Sequence, residues 1–305
     1  MKYLLIRILG NNILNIHGNN QTYNNLKFTI ENETKFVDTD KIYVLNRIIN
    51  DNQKNNIIDL LNKYNIKFLD IPFVYDDFIK IPKINSKIVN LYNKYNITKE
   101  LSNYEKKLLA NIVLQHSLYL VNINSCRNFC IQYGKDNNYD WTFVLDSNSF
   151  FTDKYFNDII NNINEKTQYI AIPQIRIAQG KYNNTIILKA EENINLLDIE
   201  EPQVAFKNSS LITFNPNIPY GIMNKAELLN AIGVIGKWNN WIDIDLINIK
   251  PRYYNNIKFQ VLSKVIRLNP ENINNNNKTN WINRLFGVYD LYLEVIKKYG
   301  RKTSL

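Results

Sequence analysis

The stretch NSCRNFCIQYGKDNNYDWTFVLDSNSFFTD (residues 124–153) decides the predicted fold, because within it polar side chains directly follow a buried strand. The run WTFVL at 141–145 is continuously apolar and rich in β-branched and aromatic residues, which indicates a central strand covered on both faces. A short helix precedes this strand, and a helix capped near Thr152 follows it. Open α/β sheets bind ligands at the carboxyl ends of their strands, so Asp146 and Asn148 lie where a ligand is expected.

Before this stretch, strands and helices alternate along the chain. The apolar periodicity predicts strands at 2–9, 41–45 and 66–71, and helices at 21–31 and 52–64. This order is typical of βαβ units, whose strands are parallel and whose crossovers are right-handed. We therefore predict an α/β fold of Rossmann type, in which helices flank a mostly parallel sheet.

The rest of the chain is predicted to add helices and strands to the same domain. Residues 73–104 have a looser pattern and are interpreted as an insertion or lid over the site. Further helices are predicted at 106–121, 155–163, 226–232 and 281–298, and strands or hairpins at 169–177, 181–190, 201–214 and 259–268. The strand at 169–177 is placed near a sheet edge, since Pro173 has no N–H for a ladder hydrogen bond. No repeat or linker divides the chain, so residues 1–305 form a single predicted domain.

The net charge of +9 favours a partner that carries negative charge. The 37 Lys and Arg residues outnumber the 28 Asp and Glu residues, which suits phosphates or a nucleotide-linked substrate. These basic residues are scattered along the chain rather than clustered, which argues against a nucleic-acid-binding protein.

Neither a membrane span nor a secretory signal is predicted. No apolar stretch reaches the ~20 residues that a span requires, and Arg7 interrupts the short apolar run at the N-terminus. The two cysteines, Cys126 and Cys130, lie four residues apart in a predicted helix. This spacing indicates a reducing compartment rather than a disulfide framework, so we expect a cytoplasmic protein.

Asp146 and Asn148 are the first candidate ligand-binding residues, two positions apart at the end of the central strand. Hard divalent cations prefer oxygen ligands, and a carboxylate and an amide carbonyl both supply them. The pair is therefore a candidate Mg²⁺ or Mn²⁺ site that would bridge a diphosphate. The alternative is that both residues only cap a helix or form a turn, as such residues often do at these places.

Arginine side chains provide the second set of candidates. Arg127, which Asn128 follows, precedes the central strand, while Arg7 and Arg47 lie at the ends of two other predicted strands. Arg makes paired hydrogen bonds to phosphate, and Asn recognises a base or a ribose. Parallel strands would bring these side chains to one crevice. The alternative is that each arginine is an ordinary surface residue.

Five segments of the chain together resemble a known enzyme family. They are SCRN (125–128), WTFVLDSNSFFTD (141–153), RILGN (7–11), VLNRI (44–48) and PYGIMNKAELLNAIGVIGKW (219–238). The first two, within residues 120–165, resemble the A-R-N and D-x-D elements of family 2-type glycosyltransferases of GT-A fold. The others are similar to a glycosyltransferase-like group of bacteria and large DNA viruses. A viral member would be expected in the host cytoplasm.

The resemblance implies a GT-A-like fold and assigns roles to the candidate residues. Arg127 and Asn128 are expected to hold the nucleotide or its diphosphate. Asp146 is expected to face the ribose and a metal ion and to take part in catalysis. Asn148 stands where the family has the second acid of D-x-D, so the implied Mn²⁺ or Mg²⁺ has one charged ligand fewer.

The implied reaction moves a sugar from a nucleotide sugar, with a UDP-sugar favoured, to a glycan or protein-glycan hydroxyl with inversion. Residues 1–150 are the implied donor half, and residues 151–305 are the acceptor half. The family has an acidic pair before a Leu-rich helix, which this chain lacks. Glu201 and Glu227 are therefore the preferred candidates for the catalytic base. The other candidates are Glu200, Asp243 and Asp245.

Two alternatives to a glycosyltransferase stay open at this point. One is a catalytically inactive nucleotide- or glycan-binding relative of the fold, which would explain why the second acid and the acidic pair are missing. The other is a nucleotidyltransferase, which also has acids at the ends of parallel strands. That enzyme needs a Gly-rich phosphate loop, and Gly10-Asn11-Asn12 is a poor version of one.

Overall fold

One sheet of nine strands is the centre of the structure, a computed structural model that describes residues 1–13, 16, 20–176, 199–222, 225–238, 249–268 and 280–300. The strands are β1 (Tyr3–Leu9), β2 (Thr39–Asn46), β3 (Phe68–Ile71), β4 (Trp141–Asp146), β5 (Ser149–Phe150), β6 (Tyr169–Arg176), β7 (Ile199–Lys207), β8 (Phe259–Val261) and β9 (Val265–Arg267). Their order is β3-β2-β1-β4-β7-β6-β9-β5, and β8 pairs with β6. The predicted hairpin at 181–190 lies outside the described residues.

The first four strands in this order are parallel, and the other pairings are mixed. β3, β2, β1 and β4 run in one direction, whereas β7 is antiparallel to both β4 and β6. β8 and β9 are parallel to β6, and β5 is antiparallel to β9. β1 is buried along its whole length, as expected of a central parallel strand. The predicted α/β fold, with a mostly parallel sheet flanked by helices, is confirmed.

Helices cover both faces of the sheet. They are α1 (Gln21–Asn32), α2 (Asp51–Lys63), α3 (Tyr75–Phe78), α4 (Lys87–Thr98), α5 (Asn103–Leu120), α6 (Ile123–Asp136), α7 (Asp153–Asn161), α8 (Ala226–Ala231) and α9 (Asn280–Tyr299). α1, α2 and α7 pack on the face that carries Leu5 and Tyr43, whereas α6 and α8 pack on the face that carries Ile6 and Val44. No helix within the described ranges combines the length and the apolar composition that crossing a bilayer requires.

Polar side chains cap the starts of two helices, one of them at the predicted Thr152. Thr152 caps α7, because its side chain accepts a hydrogen bond from the Tyr155 N–H at 3.3 Å. Asn50 caps α2, since Asn50 Oδ1 accepts from the Gln53 N–H at 3.0 Å. Asp51 lies in the first turn, where a negative charge is favourable.

β6 is an interior strand but lies one strand from the edge at β8, so its position near an edge agrees with the prediction. It pairs with β7 on one side and with β8 and β9 on the other. The register with β7 shifts between Ile172 and Gln174, and Pro173 falls in this irregularity. On the other side, β8 pairs up to Ala171 and β9 pairs from Gln174 onward. The break in both ladders accommodates a residue without an N–H in an interior strand.

Residues 73–104 form helices that pack into a second apolar core, and their interpretation as an insertion or lid over the site stays a prediction. The buried side chains Phe78, Ile88, Leu91 and Tyr95 come from α3 and α4 and pack with buried residues of α5 and α9. Those from α4 are spaced three and four residues apart, which is the spacing of one helix face. Burial of this face attaches the segment to the body of the protein.

His116 of α5 lies in the same apolar core, and its burial is expected to make stability dependent on pH. Its ring contacts Phe78 and Tyr292 at centroid distances of 5.5 and 4.9 Å, and burial lowers its pKa to about 4. The unfolded chain binds a proton near pH 6.5, so the folded state loses stability as the pH falls from there toward 4. We expect His116→Phe to remove about 2 kcal/mol of the loss between pH 7 and pH 5, measured by urea unfolding. Equal pH dependence of the two proteins would contradict this assignment.

Candidate active site

Asp146 lies at the carboxyl end of β4, beside the point where the strand order reverses. β2 and β3 lie on one side of β1 and β4 lies on the other, and the flanking helices change face at the same point. In open α/β sheets this reversal opens a crevice for a ligand. Ile8 of β1 is the register partner of Asp146, so the carboxylate lies at the crevice. The side chain is 28% exposed and can be reached from solvent.

Three side chains donate hydrogen bonds to the Asp146 carboxylate. Arg127 Nη2 lies 2.8 Å from Oδ1, while Gln203 Nε2 and Lys225 Nζ lie 2.9 and 3.0 Å from Oδ2. The two cations are buried, with Arg127 and Lys225 only 5% and 3% exposed. Burial by itself would raise the pKa of Asp146, but Lys225 and Arg127 outweigh it and hold that pKa well below its ordinary value. Asp146 is therefore ionised and held in one orientation.

One face of α6 positions Arg127 and the segment that packs over it. Asn124, Arg127 and Asn128 share this face because of their spacing. Asn124 Oδ1 accepts from Arg127 Nη1 at 2.9 Å, and the Phe214 ring centroid lies 5.0 Å from the guanidinium carbon. The Asn128 amide accepts from the Phe214 N–H at 2.9 Å and donates to the Phe214 carbonyl at 2.8 Å. Asn128 thus holds a protein backbone in the place where a ligand contact was predicted.

Glu201 is a second carboxylate in the same cleft. β7 runs antiparallel to β4 with Val204 opposite Val144, which puts Glu201 beyond the carboxyl end of β4. Glu201 Oε2 lies 3.8 Å from Lys225 Nζ, so one cation joins Glu201 and Asp146. The Glu201 side chain is 18% exposed. Its long contact with Lys225 leaves Glu201 less constrained than Asp146.

Two buried glutamines support these carboxylates. Gln203 Nε2 donates to Gln174 Oε1 at 2.9 Å in addition to Asp146, and Gln174 Nε2 donates to the Glu201 carbonyl oxygen. Among the described residues, Gln203 Oε1 has no hydrogen-bond partner. A buried acceptor without a partner is unfavourable, so this oxygen is an unsatisfied group beside the two carboxylates.

Tyr220 lies at the same cleft with two further arginines. The guanidinium carbon of Arg284 is 5.5 Å from the centre of the Tyr220 ring. Burial raises the pKa of Tyr220, while Arg284, Arg267 and Arg127 act to lower it and Asp146 acts to raise it. Arg267 is also the register partner of Ser149, three residues after Asp146, so β9 ends beside the cleft at the end of β4.

Arg7 lies on the other face of the sheet from Asp146. Side chains alternate along a strand, and the register partner of Arg7 is the residue before Asp146. The fully buried guanidinium pairs with Glu33 and donates from Nε to the Ser149 carbonyl at 2.9 Å. Glu33 also accepts from the Phe151 N–H at 2.8 Å. Arg7 thus supports the segment that follows β4, rather than facing the crevice as predicted.

Arg47 and Asn148 have separate surroundings. The Arg47 guanidinium lies 5.2 Å from the Tyr119 ring centre, and its Nη1 donates to Asn46 Oδ1 at 3.3 Å. Asn148 is half-buried in the turn after β4, where its backbone carbonyl accepts from the Leu268 N–H at 2.8 Å. Arg47 lies two strands away from Asp146, and Asn148 lies next to it. The predicted ligand contacts of both side chains stay predictions.

Glu227 is fully engaged in a buried ion pair. Arg252 Nε lies 2.7 Å from Oε1 and Arg252 Nη2 lies 2.8 Å from Oε2, while the Arg252 N–H also donates to Oε1 at 3.1 Å. The Glu227 side chain has no exposed surface. A general base needs a lone pair that reaches the substrate, which this carboxylate does not offer. The side chain of Glu200 and the whole of Asp243 and Asp245 lie outside the described residues.

The residues around Asp146 do not fit a divalent cation. Both carboxylate oxygens already accept hydrogen bonds, and two of the donors, Arg127 and Lys225, are positively charged. Two unit charges of the same sign 4 Å apart repel by about 4 kcal/mol at an effective dielectric of 20. A divalent ion at Asp146 would therefore be repelled by both Arg127 and Lys225. Asn148 adds no negative charge, and the described residues contain no cluster of three His, Cys, Asp or Glu side chains suited to a metal. This donor set disagrees with the Mn²⁺ or Mg²⁺ that the resemblance implies.

Comparison with known proteins gives weak structural similarities. No family model and no curated protein matches the chain. S. aureus TarS is similar at a TM-score of 0.37 and 10% identity, over 72% of this chain and 31% of TarS. A 4-diphosphocytidyl-2C-methyl-D-erythritol synthase from Anaerococcus prevotii is similar at 0.33 and 12%, over 95% and 98% of the two chains. Mouse xyloside xylosyltransferase 1 is similar at 0.30 and 11%, over 68% and 67%. At TM-scores below 0.5, these similarities do not identify a family or a reaction.

Several residues of the cleft were not predicted as site residues. They are Asn124, Gln174, Gln203, Tyr220, Lys225, Arg267 and Arg284. Tyr220 and Lys225 lie in the segment 219–238, which resembles the enzyme family, and this resemblance could have pointed to them. Asn124 lies three residues before Arg127 on the same helix. Gln174, Gln203, Arg267 and Arg284 reach the cleft only through long-range pairing, which no local pattern records.

Proposed function

We propose that the protein transfers a sugar from a nucleotide-sugar donor to a hydroxyl of a glycan or protein-linked glycan. The observation that carries this proposal is the Asp146 carboxylate at the strand-order reversal, partly exposed and oriented by Arg127, Gln203 and Lys225. A fixed carboxylate at such a crevice is suited to accept hydrogen bonds from ribose or sugar hydroxyls. The resemblance to family 2-type glycosyltransferases likewise implies that Asp146 faces the ribose of the donor.

Glu201 is the general base in this proposal. It is exposed enough to meet an acceptor and is less constrained than Asp146 or Glu227. The Glu201 carboxylate takes the proton from the acceptor hydroxyl while that oxygen attacks the anomeric carbon. The bond from this carbon to the diphosphate breaks, and the nucleoside diphosphate leaves with the electron pair. The product therefore has the inverted configuration.

Positive charge around the cleft assists the departure of the diphosphate. Negative charge grows on the leaving group as positive charge develops on the sugar. Arg127 and Lys225 are held by Asp146, and Arg267 and Arg284 lie nearby at Tyr220. Fixed cations stabilise developing charge without reorganising during the reaction. This chain's own side chains therefore supply the electrostatic stabilisation that the proposed reaction needs.

Replacing Glu201 by Gln should separate catalysis from donor binding. We expect the transfer rate to fall by about 10²–10⁴, the usual contribution of a general base, while donor affinity stays close to that of the wild type. UDP-, GDP-, CMP- and dTDP-linked sugars are first screened by thermal shift, since a bound ligand raises the melting temperature. Transfer is then measured by product mass with the donor that binds.

A matched control is Glu165→Gln, which removes an exposed carboxylate elsewhere on the surface. Unchanged turnover in the Glu201 variant would remove this residue from the mechanism. Binding of a nucleotide sugar with no hydrolysis or transfer to any glycan would instead indicate a non-catalytic binding protein. Transfer of a nucleotidyl group to a phosphorylated acceptor would indicate a nucleotidyltransferase.

A further inference from the structure

Two arginines of the C-terminal part of the chain lie beside the cleft and were not predicted as site residues. Arg267 ends β9 and Arg284 belongs to α9, and both are half-buried. The Arg284 guanidinium carbon lies 5.5 Å from the centre of the Tyr220 ring. Its Nε is buried and has no hydrogen-bond partner among the described residues. A buried donor of this kind favours a ligand that supplies an acceptor.

The backbone of the cleft fixes the position of Arg284. Gly221 has a φ of +94°, and a Cβ at this residue would lie 3.0 Å from Arg284 Cβ and 3.4 Å from its Cδ. The chain therefore passes close to the stem of the arginine, where a larger side chain has no room. A guanidinium held between this backbone and the Tyr220 ring loses little conformational entropy when it binds.

The charges in the cleft separate into two groups. Arg127 and Lys225 are almost completely buried, and both are paired with Asp146. Arg267, the register partner of Ser149 in β5, and Arg284, beside the Tyr220 ring, form the second group and are half-buried. An anion that enters from solvent is therefore expected to meet the second pair first. The first pair neutralises Asp146, so the carboxylate repels this anion less.

We propose that Arg267 and Arg284 form the subsite for the donor's diphosphate, and that this subsite binds diphosphate without a divalent cation. The inference rests on the proposed function for its choice of ligand. Guanidinium groups match phosphate oxygens with paired, charge-assisted hydrogen bonds. Divalent cations usually bridge a diphosphate to carboxylates, and the donor set at Asp146 does not fit such an ion. Arginine supplies the missing positive charge.

Isothermal titration of inorganic pyrophosphate and of UDP and GDP tests this subsite. We expect wild-type affinities to agree within about twofold between buffer with EDTA and buffer with Mn²⁺. Arg284→Gln and Arg267→Gln should each weaken pyrophosphate binding by about tenfold, because each removes a charge-assisted contact. Arg284→Lys keeps the charge without the paired geometry and should lie between these values. Lys107→Gln, which removes an exposed charge on α5, is the matched control and should bind as the wild type does.

The outcomes separate this inference from the proposed function. Loss of pyrophosphate binding in EDTA, wild-type affinity in both arginine variants, or no binding by the wild type would each overturn the subsite. Metal-free pyrophosphate binding that depends on Arg267 and Arg284 supports it, whether or not sugar transfer is found. If transfer occurs but requires Mn²⁺, the proposed function survives and the metal-free subsite does not.

Discussion

Replacing Asp146 by Asn is expected to reduce sugar transfer by at least about 10³, the largest effect on activity in this protein. The asparagine keeps the shape of the side chain but removes the charge that orients Arg127 and Lys225. Both cations would then be free to reorient toward the donor or into solvent. The substitution would also replace one of the two carboxylate oxygens that, in the proposal, accept hydrogen bonds from hydroxyls of the nucleotide sugar. Product mass and donor titration measure these two losses separately.

The same substitution should also lower stability, because it leaves the buried Arg127 without its anion and leaves Lys225 with only its longer contact to Glu201. Removing one partner of a buried ion pair costs about 3–5 kcal/mol. Asp146 is partly exposed and water can enter its place, so we expect about 2 kcal/mol in urea unfolding. Unchanged stability would contradict the structural part of this assignment, and unchanged turnover would contradict the catalytic part.

A double variant distinguishes charge balance from chemistry. Asp146→Asn combined with Lys225→Met removes one anion and one of its cations together. We expect the combination to recover part of the lost stability, because the two residues are in contact and their effects are not additive. Turnover should not recover, since the carboxylate is still absent. Asp158→Asn, at an exposed position of α7, is the control for loss of a surface carboxylate.

The sequence predicts the strands and helices of the sheet better than it predicts the residues of the cleft. Apolar runs and helical periodicity act over a few residues, which is why β1, α1, β2, α2 and β3 lie close to their predicted positions. The position of Asp146 at a strand end follows from the same local signals. Periodicity also explains why Arg7 lies elsewhere, since a shift of one residue along a strand moves a side chain to the other face.

The partners of Asp146 depend on contacts that the sequence does not record. Gln203 and Lys225 are separated from Asp146 by 57 and 79 residues, and they reach it through an antiparallel strand and the start of α8. Asn128 lies in the helix predicted before the central strand, yet its amide binds the backbone of Phe214. Residue type and spacing identified a polar site, but only the tertiary structure says which polar group meets which.

Glu227 illustrates how a local rule gives an ambiguous answer. An acid in the first turn of α8 was consistent with a catalytic base and with favourable interaction with the helix dipole. The structure adds Arg252, which lies 25 residues away in the chain and engages both carboxylate oxygens. Arg252 also donates from Nη2 to the Thr213 carbonyl at 2.8 Å. The pair thus connects α8 to the segment that Asn128 holds.

Replacing Arg252 by Met should give the largest loss of stability, about 3–5 kcal/mol, because it leaves the fully buried Glu227 carboxylate without a cation. Adding Glu227→Gln to this variant removes the unpaired charge, so the double variant should be more stable than Arg252→Met alone. Urea unfolding of the wild type, both single variants and the double variant measures this coupling. Glu227→Gln by itself is expected to destabilise the protein while leaving transfer by the folded fraction unchanged. Normal stability with lost transfer in that variant would return Glu227 to the catalytic role predicted from the sequence.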